Sequence, residues 1–345
     1  MSHDKDFREL REMWETFSNY RKEILPSKYW MVLNQKNINQ LKEQGYVNFK
    51  RTIAQNYFTW IIKSRFWKDD QIKYLFSHLP ISLTMRNIIR TVCAIFLRKS
   101  FKFLNLQRSL IYNFLVYMLW DFASRNDPEH ILDKLKEPYE GNPPSIFLKK
   151  QLISQDLANA AIEYYSIMSN ISKKEINSIM ELGAGYGRTA YVFLKQFPEI
   201  KYFIVDIPPA LYIAQKYLSN QFRKRKIFKY RNFLDYTEIK KEIEESNIIF
   251  LMPNQLELLP SKMVDLFINI SSFQEMRFDQ IQFYFNCIDR LVKKYLYIKQ
   301  WKVSKIPYDN IIITESNYPI RDEWKKIFWR DCKVQTKFFE ALFQL

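Results

Sequence analysis

The feature that most constrains the fold of this chain is the spacing of its glycines. The 345 residues include only five glycines, and three of them fall on alternate positions, at Gly183, Gly185 and Gly187. Glycine reaches backbone conformations that other residues avoid, so this spacing predicts a tight turn that leaves room beside the backbone. The turn follows a largely apolar segment, 176–182, and precedes an amphipathic one, 188–196. A strand, a glycine turn and a helix N-terminus predict a cradle whose backbone N–H groups point at a nucleotide cofactor.

The order of residues within the turn distinguishes between types of nucleotide site. A dinucleotide-binding turn reads G-x-G-x-x-G, whereas this one reads E-x-G-x-G-x-G and begins at Glu181. The next apolar run, 201–206, ends at Asp206, 19 residues after Gly187. A carboxylate in this place can accept hydrogen bonds from both hydroxyls of a ribose. We therefore predict a nucleoside cofactor whose ribose is held by Asp206; the alternative is a helix N-terminus with incidental glycines.

The second half of the chain alternates apolar runs with amphipathic segments. Strands are predicted at 176–182, 201–206, 248–252, 264–270 and 295–300, with a terminal antiparallel hairpin in 328–343. This alternation predicts an α/β fold, a Rossmann-like doubly wound sheet. About forty residues separate Asp206 from the third strand, and they include the basic run 223–226. We predict an inserted helix-and-loop segment there.

The first 145 residues differ from the rest in the spacing of their apolar residues. Residues 5–135 contain almost no glycine and repeat apolar positions at helical spacing, which predicts a mainly helical region. Three prolines and a glycine in 137–144 forbid a helix and mark a boundary. We therefore predict a helical, basic region 1–145 on the acceptor side of the site, as a lid, and a cofactor-binding domain 146–345. Bases and aromatics at 63–68 fit either an RNA-stacking surface or an amphipathic helix.

The chain is strongly basic, with a formal net charge of +16, and segment 45–120 holds twelve bases against two acids. Such a surface attracts the phosphates of a nucleotide sugar, a lipid diphosphate, a membrane leaflet or nucleic acid, although basic residues also serve solubility.

Three scattered cysteines, Cys93 among them, form no C-x-x-C pair, and the apolar stretch 110–120 is about half as long as a spanning helix. We expect a soluble, cytoplasmic protein. No His, Cys or carboxylate cluster has metal-ligand spacing, so no metal site is predicted.

Side chains that follow the predicted strands are the next candidates for ligand contact, because ligands of open α/β sheets bind beyond the carboxyl ends of the strands. Asn254 and Gln255 follow the third strand, with amides that could meet the edge of an adenine, and segment 269–276 follows the fourth. The predicted cofactor-binding residues are Glu181, Gly183, Ala184, Gly185, Tyr186, Gly187, Asp206, Ile207, Asn254, Gln255, Asn269 and Ser271.

Several of these stretches resemble known enzymes. The glycine turn resembles the first motif of S-adenosylmethionine-dependent methyltransferases. Five stretches together resemble the bacterial sugar O-methyltransferase family found with surface-polysaccharide and glycosylated natural-product pathways, namely 137–147, 181–188, 201–219, 250–260 and 267–276. The resemblance spans roughly 45–345. It implies a Rossmann-like fold, S-adenosylmethionine as the cofactor, and methyl transfer to a sugar hydroxyl of a sugar or glycoconjugate acceptor.

Methyl transfer to a hydroxyl needs a base that takes the hydroxyl proton. Histidine is the usual choice, but all three histidines lie before residue 146. Glu275, on the segment that leaves the fourth strand, is therefore our first candidate; the alternative is a carboxylate that the helix dipole stabilises. His130 and Glu137, reaching across the cleft between the two regions, are the second choice. The predicted substrate contacts are Tyr139, Asn142, Ser272 and Gln274.

Two other functions stay open at the level of sequence. An RNA methyltransferase would use the basic, aromatic first region, but the Asp/Asn-Pro-Pro-aromatic run expected of an amino-directed nucleic-acid enzyme does not follow the fourth strand. A cofactor-fold protein without catalysis is the other, and the intact glycine turn and Asp206 argue against it. Nucleic acid is therefore not the expected partner, whereas a phosphate-bearing acceptor and contact with a membrane surface stay open.

Overall fold

The structure is a computed structural model that describes residues 2–21, 24–51, 70–82, 84–86 and 104–345. The run 63–68 and Cys93 lie outside the described residues. The described α-helices are α1 (Ser2–Ser18), α2 (Lys28–Gln44), α3 (Asp70–Ser77), α4 (Leu104–Arg125), α5 (Ile131–Lys134), α6 (Gln155–Met168), α7 (Arg188–Gln196), α8 (Ala210–Gln221), α9 (Lys240–Glu245) and α10 (Phe278–Leu291). The described strands are β1 (Ile146–Leu148), β2 (Gln151–Ile153), β3 (Ser178–Leu182), β4 (Lys201–Val205), β5 (Ile227–Phe228), β6 (Ile248–Leu251), β7 (Val264–Ile270), β8 (Val292–Trp301), β9 (Val303–Ile306), β10 (Ile311–Thr314), β11 (Lys325–Asp331) and β12 (Phe338–Gln344).

The main sheet of the described part has eight strands in the order β5-β6-β4-β3-β7-β8-β12-β11. The first six strands in this order, from β5 through β6, β4, β3 and β7 to β8, pair in parallel, and β12 and β11 add an antiparallel hairpin at the end. The predicted Rossmann-like α/β fold, its five strands and its terminal hairpin are confirmed. Strand order reverses at β3, since β4 lies on one side of it and β7 on the other. In sheets of this kind the reversal opens a crevice at the carboxyl ends of the strands, where ligands bind.

The segment inserted between β4 and β6 is more regular than its sequence predicts. It contains α8 and α9, as expected, but also the two-residue strand β5, which pairs with β6 at the edge of the sheet. Apolar residues extend over only Ile227 and Phe228, and bases flank them. So short a run gives no periodic signal, and its pairing with β6 alone makes it a strand.

The strands are apolar on both faces because helices cover both faces of the sheet. In β4, Tyr202 and Ile204 face one hydrophobic cluster, whereas Phe203 and Val205 face another. The first cluster includes residues of α6, α7 and α8, and the second includes residues of α9 and α10. Since side chains alternate along a strand, continuous apolar runs are what a sheet buried on both sides requires.

The N-terminal helices pack against the second region and share its core. Leu10, Met13 and Phe17 of α1 are buried in the cluster that contains α8. Beyond α1, the Tyr20 hydroxyl donates to Met252 Sδ at 3.4 Å, and Arg21 forms an ion pair with Glu257. The start of the chain therefore lies across the carboxyl end of β6. Among the described residues, no helix combines the length and apolarity that crossing a bilayer requires.

Candidate functional site

The glycine turn connects β3 to α7 at the carboxyl edge of the sheet. Its three glycines all have positive φ angles, +76° at Gly183, +59° at Gly185 and +88° at Gly187. A Cβ at Gly183 would lie 2.4 Å from the Oγ of Ser272, so this glycine permits close packing against the loop after β7. A Cβ at Gly185 would meet no described atom within 4 Å. The middle glycine therefore faces open space, as a backbone segment that contacts a ligand must.

Asp206 fixes this turn, a contact that the sequence did not predict. Its Oδ2 accepts the N–H of Gly185 at 2.7 Å, and its Oδ1 accepts the N–H of Ile207 at 2.7 Å. Burial raises the pKa of Asp206 to about 7, although these two N–H groups act to lower it. Each carboxylate oxygen can accept a second hydrogen bond, so the group that positions the turn also has acceptor capacity for a ligand.

The side chains of Glu181 and Tyr186 have protein partners beside the turn. Glu181 is buried in the sheet face and accepts the hydroxyl of Tyr202 at 2.7 Å; burial raises its pKa to about 7. The buried Tyr186 hydroxyl donates to Asp156 at 2.9 Å, and its ring lies 5.3 Å from that of Phe49. For a ligand at the turn, these positions offer chiefly their backbone groups.

The two amide side chains predicted as ligand contacts on the loop after β6 differ in their hydrogen bonding. Gln255 accepts the N–H of Met252 at 2.9 Å and donates to the carbonyl of Arg231 at 2.8 Å, so both ends of its amide are engaged. Asn254 is half-buried, and its Oδ1 has no hydrogen-bond partner among the described residues. Asn254 is thus the better candidate for a contact with a ligand.

The loop after β7 is shaped by a buried network of amides, and this corrects two expected roles. Asn269 donates to the carbonyl of Leu182 at 2.9 Å and accepts the amide of Gln300 at 2.6 Å. The amide of Gln274 accepts the N–H of Trp301 at 2.5 Å and donates to Ser271 Oγ at 3.1 Å. Both Asn269 and Gln274 are 0% exposed. Both amides have a donor partner and an acceptor partner within the protein, so the structure indicates that they fix the loop rather than bind cofactor or substrate.

The same loop brings Ser271, Ser272 and Glu275 to the crevice. Ser271 has a φ of +60°, and its N–H donates to the carbonyl of Lys299 at 2.8 Å. Ser271 and Ser272 are both half-buried, and Ser272 lies against Gly183. The loop after β7 thus closes the crevice on the side opposite Asp206.

Glu275 lies where the N-terminal region meets this loop. Its Oε2 accepts the indole N–H of Trp30 at 2.8 Å, and its carbonyl accepts the Ser27 hydroxyl at 2.9 Å. The hairpin β9–β10 flanks the same place, since its Asp309 accepts the N–H of Tyr29 at 3.3 Å. Burial raises the pKa of Glu275 to about 7, and the Trp30 N–H lowers it in part. A carboxyl that titrates near neutral pH suits a general base.

The structure does not support the two alternative bases. The side chain of His130 is 75% exposed and pairs with Asp133 at 3.3 Å. Its neighbour Glu129 pairs with Lys173, just before β3 begins, so His130 lies at the amino edge of the sheet, opposite the turn. Glu137 is buried, bound to Lys50 Nζ at 2.5 Å and to the Ser154 hydroxyl at 2.6 Å. Glu137 is thus held in a buried ion pair beside the start of α6, and not on one of the loops that follow β3, β4 or β7.

Tyr139 and Asn142 lie away from the crevice as well. Tyr139 is 72% exposed, and the Asn142 amide donates to Asn48 Oδ1 at 2.9 Å. Between them, Glu140 accepts the amides of Asn220 and Gln221 at 2.7 and 2.6 Å, at the carboxyl end of α8. Helix α8 has 12 residues and starts near Asp206, so its far end is about 18 Å from the crevice. The structure therefore places these residues near the far end of α8 and not at the crevice.

The sequence did not single out Trp30, which holds Glu275. A weak signal was present: Ser27 stands directly before α2 and accepts the N–H of Trp30 at 3.4 Å as its N-cap. A capping serine predicts where the helix begins. It does not predict that the first turn of the helix contacts a loop some 245 residues further along the chain.

Comparison with known proteins gives likenesses of fold. No protein-family model matches the chain, and no curated protein matches it. Solved structures similar to it include an S-adenosylmethionine-dependent methyltransferase from Clostridium acetobutylicum, with 11% identity and a TM-score of 0.38 over 55% of this chain and 91% of that one. A methyltransferase of the same kind from Aquifex aeolicus has 15% identity and a TM-score of 0.31 over 52% and 87%. The mitomycin 7-O-methyltransferase MmcR has 9% identity and a TM-score of 0.37 over 55% of each chain. Similarity at this level carries no argument about the ligand of this chain.

Proposed function

We propose that the protein is an S-adenosylmethionine-dependent O-methyltransferase that acts on a sugar hydroxyl. The proposal is supported by three groups that follow the carboxyl ends of adjacent strands: the open backbone at Gly185 after β3, the carboxylate of Asp206 after β4, and Glu275, with its pKa raised to about 7, after β7. A cofactor cradle and a candidate base thus line the same edge.

The residues of the crevice fit a nucleoside cofactor. The amino acid part would lie along the glycine turn, where the missing Cβ of Gly185 admits a ligand. Asp206 has acceptor capacity for the ribose hydroxyls, and the unpartnered Oδ1 of Asn254 can accept an exocyclic amino group. When bound, S-adenosylmethionine supplies an electrophilic methyl group.

Replacing Asp206 by alanine is expected to weaken cofactor binding by about 1.5–3 kcal/mol, the usual range for hydrogen bonds to a charged group. Because Asp206 also fixes the turn, the variant alone does not separate the two roles. Calorimetry with S-adenosylhomocysteine and with its 2′,3′-dideoxy analogue separates them. If Asp206 holds the ribose, removing the hydroxyls weakens binding less in Asp206→Ala than in the parent protein. An equal loss in both proteins would limit Asp206 to positioning the turn.

In the proposed reaction Glu275 accepts the proton of the acceptor hydroxyl as the oxygen attacks. The indole N–H of Trp30 orients the carboxylate through Oε2. Helix α2 and the hairpin β9–β10 lie beside Glu275 and would limit the access of water to it. This arrangement supports the view that the region 1–145 acts as a lid on the acceptor side, with Ser271 and Ser272 as hydroxyls at the crevice.

The sugar hydroxyl as acceptor is supported by the resemblance of five stretches to sugar O-methyltransferases and by the basic charge, which attracts a phosphate-bearing carrier. The experiment is to incubate the protein and methyl-labelled S-adenosylmethionine separately with nucleotide-sugar extracts, polysaccharide extracts and total RNA. We expect label in a carbohydrate fraction. Label that appears in RNA and not in carbohydrate would replace the sugar proposal by RNA methylation.

A further inference from the structure

Two asparagines of α2 are buried without hydrogen bonds. Asn34 is 0% exposed and Asn37 is 2% exposed. The Nδ2 and Oδ1 atoms of both side chains have no hydrogen-bond partner among the described residues. The same helix does pair its exposed amides, since Gln35 donates to Asn39 Oδ1 at 3.1 Å.

Such a pair is costly for the folded protein. A buried amide without partners destabilises a protein by about 1–3 kcal/mol, and asparagine is also a poor residue for a helix interior. Leucine has the same branching and the same number of side-chain heavy atoms, and it would avoid the cost of the unsatisfied amide. Two unsatisfied amides in one helix therefore indicate groups that a ligand completes.

The position of the pair relates it to the candidate base. At 100° per residue, Trp30, Asn34 and Asn37 share one face of α2. At 1.5 Å per residue, Asn34 lies about 6 Å and Asn37 about 10 Å along the helix from Trp30. Because the indole of Trp30 donates to Glu275, the two amides continue along α2 from the place where the acceptor would lose its proton.

We propose that Asn34 and Asn37 form a hydrogen-bonding subsite for a polyhydroxylated acceptor, which holds the part of the acceptor next to the methylated hydroxyl. This inference rests on the proposed function. Each amide presents a donor and an acceptor, and each sugar hydroxyl does the same, so the two match without any charge. A phosphate would instead need cationic side chains or an array of N–H donors at this position, and an asparagine pair supplies no positive charge.

The test compares Asn34→Leu, Asn37→Leu and the double variant with Asn39→Leu, which makes the same change on the exposed face of α2. Label transfer from S-adenosylmethionine to the nucleotide-sugar and polysaccharide extracts is measured at graded extract concentrations, with calorimetry for the cofactor. We expect the double variant to lose about 10- to 100-fold in kcat/KM for the extract, the effect of losing two neutral hydrogen bonds. Its affinity for the cofactor should not change, and its Tm should rise because two unsatisfied amides are gone. Asn39→Leu should keep the parent kinetics.

Two results would overturn the inference. One is parent-like transfer to carbohydrate in the double variant. The other is a fall in Tm together with unchanged kinetics, which would show that the amides have structural partners. Failure of the proposed function is distinct, because the parent protein itself would then not bind S-adenosylmethionine or would label no carbohydrate.

Discussion

Replacing Gly185 by valine is expected to abolish measurable binding of S-adenosylmethionine while the protein still folds. A Cβ at this position meets no described atom within 4 Å, so the first atom of the new side chain displaces no described part of the protein. It would instead fill the space next to the backbone where the ligand lies. The φ of +59° adds a strain of about 1–2 kcal/mol, which a folded domain of this size tolerates. Calorimetry measures the binding, and thermal unfolding measures the strain.

The matched control for this variant is Gly45→Val. Gly45 has a φ of +72° and a ψ of 166°, which essentially only glycine adopts, and its nearest neighbour to an added Cβ is Val47 at 3.9 Å, so a valine there imposes backbone strain outside the turn. Both variants should lower the Tm, and only Gly185→Val should lose the cofactor. Parent-like affinity in Gly185→Val would remove the turn from the cofactor site. Gly187→Val is unsuitable, because its Cβ would lie 2.7 Å from Leu218 and disturb the fold.

The fold could be predicted from sequence because its signals are local. Apolar runs such as 202–205 in β4 and 248–251 in β6 mark strands that are buried on both faces, and the glycine turn marks where β3 ends. The strand β5 lacked such a signal, since two apolar residues become a strand only by pairing with β6. The sequence does not predict the order of the strands, because the order depends on pairing between segments that are distant in the chain.

The sequence predicts the position of a site residue only where that position follows from nearby residues or from the ends of predicted strands. Asp206 and Gly185 follow β4 and β3, which pair side by side, so the sequence predicts that both lie at one edge of the sheet but not the hydrogen bond between them. Glu137 is held in an ion pair by Lys50, 87 residues earlier, and no local sequence pattern indicates that pair. Asn269 and Gln274 carry the same amide groups as Asn254, and only burial distinguishes the loop-forming amides from the one left without a partner.

Replacing Glu275 by glutamine is expected to lower the rate of methyl transfer by about 10²- to 10⁴-fold, the usual contribution of a general base, and to leave cofactor binding intact. Glutamine keeps the shape of the side chain and can still accept the N–H of Trp30, but it cannot take up a proton at neutral pH. The matched control is Glu315→Gln, because Glu315 accepts the indole N–H of Trp329 at 3.0 Å in a second glutamate–tryptophan pair. Transfer by Glu315→Gln should match that of the parent protein.

The pH dependence distinguishes a base from a carboxylate that the helix dipole stabilises. A dipole lowers the pKa of a carboxyl, whereas burial raises that of Glu275 to about 7. Tyr29, the ionisable group that interacts with Glu275, has a pKa raised chiefly by burial and stays protonated in this range. The rate of transfer should therefore rise with pH through about 7 and then level off. In Trp30→Phe the midpoint should move upward by about one pH unit, because the N–H that stabilises the charged form is gone.

The pH dependence of stability gives an independent test of the raised pKa of Glu275. Because the pKa of Glu275 is higher in the folded than in the unfolded protein, its contribution to stability is fully present below the unfolded value and is lost as pH rises through about 7. The neutral amide of Glu275→Gln does not lose this contribution, so the variant should have a higher Tm than the parent protein at pH 8 and a similar Tm at pH 5. A dipole-stabilised carboxylate would give the opposite result, with a lower Tm in the variant at pH 8. Parent-like turnover together with that lower Tm would show that Glu275 is a helix carboxylate and that another group takes the proton.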